Sequence, residues 1–457
     1  MLFNDLNFLI LFLPAVTITT WWLVPDQFRI HVLIIASFIF YGMSGWEHAL
    51  LLLMSTLWVY LFTHGLLAIG SRCRLVLAIA FPVAALVYLK YTNFILYDVL
   101  SLESSGGEGA FSLFRDVVLP AGISFFTFQL IGYAIDRYRG SVKEPPTLKA
   151  MLLYISFFPQ LIAGPIVRLA QVSSAIENLP SFRPKRQNIA DAFGFIAIGL
   201  SYKVLIADSL HHGLKPMLEK PEEIGLIGFA YLIPAYSFQI YFDFYGYSLI
   251  AIGLGKLFGF SLPINFRAPY SALNPKDFWR RWHITLSYWI RDYLYLPLRG
   301  NKNYKRNILI VFGVCGLWHG AGFSFIVWGL FHGLFVILYN QNVKAWDALP
   351  RFLQWMMTFS LVSVSWLLFV FEVQDLSTAF ASMVRGGYAE GVDITYEMLL
   401  IIAVAALVCF RIKAEKLATI DFSKPLMSFA WGGVLGAAFF MSLMFVDRSE
   451  AFIYFRF

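Results

Sequence analysis

The sequence predicts an all-α protein that crosses a membrane many times. Hydrophobic residues make up 59% of its 457 residues and charged residues only 14%, whereas a soluble domain carries about 25% charged residues. The apolar residues also form long runs of the length that a spanning helix needs, which is roughly 20 residues. Because such a chain lacks the polar side chains to cover a soluble surface, we expect a polytopic membrane protein.

The apolar runs predict about eleven spanning helices on that length criterion. The candidate segments are 7–24, 28–43, 48–69, 75–99, 117–136, 148–166, 189–210, 224–257, 307–319, 323–340, 353–371, 395–410 and 425–446. Several are short or interrupted by Pro or Gly, and irregular backbone at membrane depth is tolerated only inside the protein or along a cavity. We therefore expect one domain over 1–457 that also contains re-entrant and interfacial helices. Its expected parts are N-terminal helices (1–116), a core that holds the polar motifs (117–340) and C-terminal helices (341–457).

Loop charge predicts the orientation of the chain. In a membrane protein, a net charge of +7 indicates an excess of Lys and Arg in cytoplasmic loops and does not require a nucleic-acid partner. The basic loops hold Arg72, Arg74, 183–186, 276–306 and 411–416, whereas acidic residues mark 101–116 and 372–393. We expect the basic loops in the cytoplasm and both chain ends outside, with the first apolar run kept as a membrane helix.

The first polar motif is NPKDFWRRWHITLSYWIRDYLYLPLRGN, residues 274–301. On a continuous helix, spacings of 4, 3, 4 and 4 place five polar side chains in one stripe: Lys276, Arg280, His283, Ser287 and Arg291. Such a stripe is typical of an interfacial amphipathic helix whose arginines reach water. It is also typical of a helix that lines a cavity. In that case His283 acts as an acid, base or hydrogen-bond partner, and the arginines meet the phosphates of a nucleotide-type acyl donor.

The second polar motif is GLWHGAGFSFIVWGLFHG, residues 316–333. His319 lies 13 positions after Arg306, which is about 20 Å along a helix, so we expect His319 deep in the bilayer. The surrounding glycines would let another backbone or a substrate approach closely, and Trp318 and Trp328 are placed to wall the space. A lone histidine in apolar sequence is often a hydrogen-bonded core residue, but an imidazole that can exchange a proton is also a candidate for catalysis.

Three further residues stand out in apolar sequence. Asp243 lies in SFQIYFDFYGYSLIAIGLG, residues 237–255. It is expected to pair with an arginine or to cap a helix broken at Gly246. In the alternative interpretation, that helix break lies near a substrate path. His332 follows His319 by 13 residues, which is not the i,i+4 spacing of a metal-binding pair, so no metal site is expected. Cys315 is expected to be a small buried hydrophobic residue rather than the site of an acyl-thioester.

Together these motifs resemble the membrane-bound O-acyltransferase (MBOAT) family, and within it the membrane subunits of bacterial alginate and other polysaccharide O-acetyltransferases. The family likeness rests on FWRRWHITLSYWIRDYLYLPLRGN followed, 36 residues after its histidine, by GLWHG. The likeness to that branch rests on LPAGISFFTFQLIGYAIDRYRG (119–140), FFPQLIAGPIVR (157–168), FQIYFDFYGYSLIAIGLG (238–255) and FIYFRF (452–457). The sequence departs from the branch at Tyr245, where Ser is usual, and at Leu298-Arg299-Gly300, where LGG is more usual.

The resemblance implies an MBOAT-type bundle of helices around a central tunnel, with O-acyltransferase activity. The family's signature histidine corresponds to His319, which is expected to be the general base. The second family position corresponds to His283, which is expected to orient the donor carbonyl or share the proton. Substrate-binding or donor-binding roles are expected for Arg280, Ser287, Arg291, Trp318 and Asp243.

The resemblance also implies the substrates and the cellular setting. We expect acetyl-coenzyme A (acetyl-CoA) as the acyl donor, no bound cofactor and a location in the bacterial inner membrane. The expected partner is a periplasmic or membrane-tethered polysaccharide acetyltransferase, and the final acceptor is an exopolysaccharide such as alginate. A D-alanyl transferase for teichoic acid is the nearest alternative. From another class, a proton-coupled transporter or flippase would also explain buried histidines.

Overall fold

The computed structural model describes residues 1–65, 70–101, 119–162, 164–384 and 394–453, and every regular element in these ranges is a helix. Of the two acidic loops expected at 101–116 and 372–393, the structure describes only Ser101 and residues 372–384. The other residues of both loops lie outside the described residues. The last four residues of the FIYFRF motif, 454–457, also lie outside them.

The chain divides into two compact units. The first comprises Met1–Phe193 with Ile250–Pro263, and the second comprises Gly194–Leu249 with Ile264–Phe457. All the sequence-predicted site residues belong to the second unit. The expectation of one domain over 1–457 stays a prediction.

Aromatic side chains form much of the core of the first unit. The rings of Phe8, Phe40 and Phe158 lie 5.6 to 6.1 Å apart, centroid to centroid. The helices of this unit are Phe8–Leu23, Arg29–Gly42, Trp46–Thr63, Ser71–Val99, Ile123–Tyr138, Leu148–Ser156, Phe158–Leu161, Leu169–Asn178 and the first part of Arg186–Glu219.

The segment predicted as a single span at 148–166 is not one helix. Its first helix, Leu148–Ser156, has 9 residues and is therefore about 13 Å long, too short for a hydrocarbon core of about 30 Å. The chain turns at Phe157, and a second, four-residue helix, Phe158–Leu161, has Pro159 in its first turn. Pro is favoured in a first turn because it has no backbone N–H to leave unpaired there.

The second unit contains the helices around the polar motifs. They are the later part of Arg186–Glu219, most of Gly225–Leu257, Pro275–Arg281, Ile284–Ile290, Tyr304–His319, Phe323–Gln341, Val343–Asp347, Arg351–Val370, Val373–Val384, Tyr396–Arg411, Ala414–Ala418 and Pro425–Met444. The helix Gly225–Leu257 continues through Gly246, so the expected break at that glycine is wrong. Gly246 instead permits a close helix contact, because a Cβ atom there would lie 2.7 Å from the carbonyl oxygen of Gly199.

Within the described ranges, six helices are long and apolar enough to cross a membrane. They are Ser71–Val99, Arg186–Glu219, Gly225–Leu257, Phe323–Gln341, Arg351–Val370 and Pro425–Met444. The helix Phe8–Leu23 is apolar but shorter. These helices confirm the all-α, multi-pass class, whereas the total of about eleven spans stays a prediction.

Candidate active site

His283 lies at a sharp break between two helices. The first helix, Pro275–Arg281, begins as expected, with the Asn274 side chain accepting a hydrogen bond from the Asp277 N–H at 2.8 Å. The backbone is extended at Trp282 and left-handed at His283, where φ is 41° and ψ is 56°, and the second helix is Ile284–Ile290. The single continuous polar stripe predicted for this motif is therefore wrong, because the helical phase is lost between its second and third members.

The break separates the members of that stripe. His283 is fully buried, whereas Arg280 and Arg291 are exposed. The Arg291 guanidinium pairs with the Asp292 carboxylate at 2.7 Å. Ser287 is partly buried, and its hydroxyl donates to the carbonyl oxygens of Trp279 and Trp282 at 3.2 and 3.4 Å.

His319 is the last residue of the helix Tyr304–His319, which confirms a helical path to it from the basic residues Lys305 and Arg306. Its side chain is buried, and aromatic rings surround it. The ring centroids of Trp318, Trp328 and Phe369 lie 4.9, 5.1 and 5.3 Å from that of His319. The two tryptophans thus lie where the motif predicts walls.

The structure brings the two candidate catalytic histidines together. Their ring centroids are 6.4 Å apart, and the ring of Trp318 lies 5.9 Å from that of His283. The rings of Phe244 and His283 pack nearly perpendicular to each other, with their centroids 4.7 Å apart. A separation of this size lets two imidazoles address one substrate group from two directions.

His332 has a different environment from His319. Its Nε2 atom is 2.9 Å from the Ser365 hydroxyl, and its ring lies 4.9 Å from Trp328 and 5.1 Å from Trp279. This arrangement is that of a hydrogen-bonded core residue. Among the described residues, no group of three His, Cys, Asp or Glu side chains is arranged to hold a metal ion.

The glycines of the second motif serve helix packing. A Cβ atom at Gly316 would lie 2.1 Å from the carbonyl oxygen of Phe325, and one at Gly329 would lie 2.1 Å from that of Phe312. The helices Tyr304–His319 and Phe323–Gln341 therefore approach backbone to backbone. The sequence predicted that these glycines let either another backbone or a substrate approach closely. At Gly316 the structure shows the approach of another backbone.

Asp243 belongs to a buried ionic group that the sequence reasoning missed. The Lys203 ammonium lies 2.8 Å from the Asp243 carboxylate and 2.6 Å from that of Asp208, and these three residues form the lysine–aspartate cluster. The expected arginine partner is thus a lysine, 40 residues earlier in the chain. A lysine inside the apolar run 189–210 was the available signal, because a charge at that depth needs a counter-charge.

The lysine–aspartate cluster also holds the end of the described chain. The Ser449 hydroxyl donates to Asp208 at 2.9 Å, and the Ile453 N–H donates to the second oxygen of Asp243 at 2.7 Å. We call 449–453 the C-terminal segment. Its Phe452 stacks on Tyr247 at 4.8 Å and packs against Phe244 at 5.4 Å.

A mostly apolar cavity of about 170 Å³ lies beside the first motif. Its lining includes Ser287 and Arg291 together with Cys315, so it brings two expected donor-binding positions to one space. Cys315 is buried, in keeping with a small hydrophobic residue. The two departures from the branch pattern have these local structures. The Tyr245 hydroxyl donates to the Glu415 carboxylate at 2.7 Å. Arg299 adopts a left-handed φ of 68°, a conformation that glycine takes without strain.

Comparison with known proteins identifies the class. The model of the membrane-bound O-acyltransferase family matches residues 40–382. The chain is 37% identical over 399 residues to the probable alginate O-acetylase AlgI of Pseudomonas aeruginosa, a match that covers 83% of this chain and 74% of that protein. It is 38% identical over 337 residues to the peptidoglycan O-acetyltransferase of Helicobacter pylori, covering 65% of this chain and 62% of that protein.

A third relative matches over a smaller part. The teichoic acid D-alanyltransferase of Streptococcus thermophilus is 31% identical over 235 residues, or 48% of this chain and 56% of that protein. With the six apolar helices and the paired histidines, these matches define a multi-pass membrane enzyme that transfers acyl groups to oxygen. The chain belongs to the membrane-bound O-acyltransferase family, which confirms the resemblance found in the sequence.

Proposed function

We propose that the protein takes an acetyl group from acetyl-CoA on the cytoplasmic side of the bacterial inner membrane and delivers it across the membrane. A periplasmic or membrane-tethered transferase then completes the O-acetylation of an exopolysaccharide such as alginate. The relatives named as alginate O-acetylases support this acceptor, since the match to one of them covers 83% of the chain. The basic loop 276–306 supports a cytoplasmic donor side.

The observation that carries the proposal is the pair of buried imidazoles 6.4 Å apart within aromatic walls. In the proposed reaction, His319 removes the proton from the acceptor hydroxyl as general base. The hydroxyl oxygen bonds to the carbonyl carbon of the donor thioester, the carbon–sulfur bond breaks, and the proton passes to the departing thiolate. An N–H of His283 donates to the carbonyl oxygen as negative charge develops there.

The remaining site residues have supporting roles in this proposal. Arg291 and Ser287 line the cavity beside the first motif, and the exposed Arg280 and Arg291 offer guanidinium groups to the donor's phosphates. The ring of Trp318 packs against both imidazoles and forms part of the wall of the site. Asp243 acts indirectly, since its contacts are with Lys203 and the C-terminal segment.

The test supplies inside-out membrane vesicles that contain the protein and its partner with acetyl-CoA labelled in the acetyl group. We expect label to accumulate on the partner or the polymer on the luminal side, and His319→Ala vesicles to show none above background. Matched vesicles receive a D-alanyl-loaded carrier protein. Transfer from the carrier protein and none from acetyl-CoA would replace the proposal with the D-alanyl transferase alternative.

A further inference from the structure

The backbone at His283 is held in a conformation that a histidine does not adopt readily. Its φ of 41° lies in the left-handed region, where the Cβ atom of a residue other than glycine crowds the following carbonyl oxygen. The neighbouring Trp282 and His283 are both fully buried. Such a conformation persists only where the surrounding structure holds it.

Two backbone hydrogen bonds hold this turn from either side. The Arg267 N–H donates to the Arg281 carbonyl at 3.0 Å, and the Ile284 N–H donates to the Asn265 carbonyl at 3.0 Å. They bracket Trp282 and His283. The segment 265–267 therefore clamps the chain just before and just after the strained residue.

The Asn265 side chain completes the clamp. Its Oδ1 atom accepts from the Thr285 hydroxyl at 2.7 Å and from the Thr285 N–H at 3.4 Å, and its Nδ2 atom donates to the Ser248 hydroxyl at 3.2 Å. Asn265 is itself fully buried. The first N–H groups of a helix have no partner within that helix, and His283 does not cap the helix Ile284–Ile290 with its side chain. Asn265 supplies acceptors for two of these groups from outside.

We propose that Asn265 is a positioning residue for the acyl-transfer reaction. By its hydrogen bonds to Ile284 and Thr285, Asn265 fixes His283 at its distance from His319. This inference rests on the proposed role of His283. A displacement of about 1 Å in a reacting group can cost about 100-fold in rate. The clamp matters because a turn under strain relaxes toward ordinary backbone angles when its restraints are removed.

The test uses Thr285, because its two variants separate the hydrogen bond from packing. Thr285→Val keeps the shape of the side chain and removes the hydroxyl that donates to Asn265, whereas Thr285→Ser keeps the hydroxyl and loses a methyl group. The initial rate of acetyl transfer is measured across acetyl-CoA concentrations in vesicles and normalised to folded protein. We expect Thr285→Val to lower kcat by about tenfold or more, within the range for misplacement, with an unchanged KM. Thr285→Ser should retain most of the wild-type kcat.

Asn265→Ala and His283→Ala complete the set. Asn265→Ala is expected to lower kcat at least as far as Thr285→Val, and His283→Ala to lower it further. Equal kcat in Thr285→Val and wild type, with His283→Ala inactive, would overturn the inference and leave the proposed function standing. A fully active His283→Ala would instead remove the role of His283 from the proposed function, and the inference would fail with it. If Thr285→Val and Thr285→Ser lose kcat equally, the contact serves packing and the inference fails.

Discussion

Two of the places where the second unit buries polar side chains differ in what surrounds them. His319 is packed by the rings of Trp318, Trp328 and Phe369, whereas Lys203 is packed by the carboxylates of Asp208 and Asp243. Aromatic walls fix the place of an imidazole by shape and carry no net charge that would lock its protonation state. Carboxylates beside a lysine fix its charge and bind it tightly. The first arrangement suits proton transfer and the second suits anchoring.

The largest expected effect is the loss of the imidazole at the histidine site. A positioned general base contributes roughly 10²–10⁴-fold to rate, so His319→Ala should reduce polymer acetylation to near background. Membrane insertion should stay normal. His319→Gln should be nearly as inactive, because an amide hydrogen-bonds but does not take up a proton near neutral pH. Acetyl content of the polymer, normalised to protein level, is the measurement.

His332→Ala is the matched control, since His332 is equally buried and hydrogen-bonded to Ser365. It should lose much less activity than His319→Ala. Substantial acetylation by His319→Gln would show that the imidazole only orients or packs, and His283 would become the first candidate for the base.

At the lysine–aspartate cluster, the expected effect is on stability. Removing one partner of a buried ion pair costs about 3–5 kcal/mol, so Lys203→Met should lower the thermal midpoint and the yield of folded protein in detergent. The triple variant Lys203→Met, Asp208→Asn, Asp243→Asn removes all three charges and should recover much of that loss. Acetylation per folded molecule should stay within a few-fold of wild type.

The opposite result at the cluster would erase the contrast between the two regions. If Lys203→Met folds normally and loses acetylation as fully as His319→Ala does, the cluster takes part in the chemistry and is not an anchor.

A smaller effect is expected at the exposed arginines of the first motif. Arg291→Ala removes one charge near the donor cavity, and an exposed ion pair contributes at most about 1 kcal/mol, which is a factor of about five. We expect KM for acetyl-CoA to rise by about that factor, with kcat unchanged. Arg280→Ala should behave similarly. If the double variant leaves KM unchanged, the arginines are interfacial only.

The smallest effect is expected at the edge of the lysine–aspartate cluster. Ser449→Ala removes one hydrogen bond to Asp208, worth about 1 kcal/mol, and leaves the three charges in place. The thermal midpoint should fall less than in Lys203→Met. Ser423→Ala is a matched control, because its exposed hydroxyl hydrogen-bonds to Asp421 away from the cluster, and it should leave the midpoint unchanged. If Ser449→Ala lowered the thermal midpoint more than Lys203→Met does, the contact with the C-terminal segment would stabilise the cluster more than the ion pair does.

The amino-acid sequence by itself determined the helical membrane class and the family. Apolar runs set where helices form, because every backbone polar group in a bilayer core must be hydrogen-bonded inside the protein, and a helix does this within its own segment. The motifs around His283 and His319 carried the family likeness, and the apolar run after Lys305 and Arg306 predicted the helix that ends at His319. The depth of His319 in the bilayer stays a prediction. These features depend on nearby residues, which sequence patterns record directly.

Only the tertiary structure decided how the polar residues group. The break at His283 has no Gly or Pro to signal it and is bracketed by hydrogen bonds with Asn265 and Arg267, which lie 14 to 19 residues from their partners in the chain. Likewise, the partner of Asp243 is Lys203 on another helix. Helical periodicity describes which side chains share a face of one helix, but it holds no information about the contacts that interrupt that helix or supply its counter-charges. Those contacts arise only when separate segments pack together. The hydrogen bonds of segment 265–267 then hold the strained turn at His283, and the carboxylates of Asp208 and Asp243 balance the charge of Lys203.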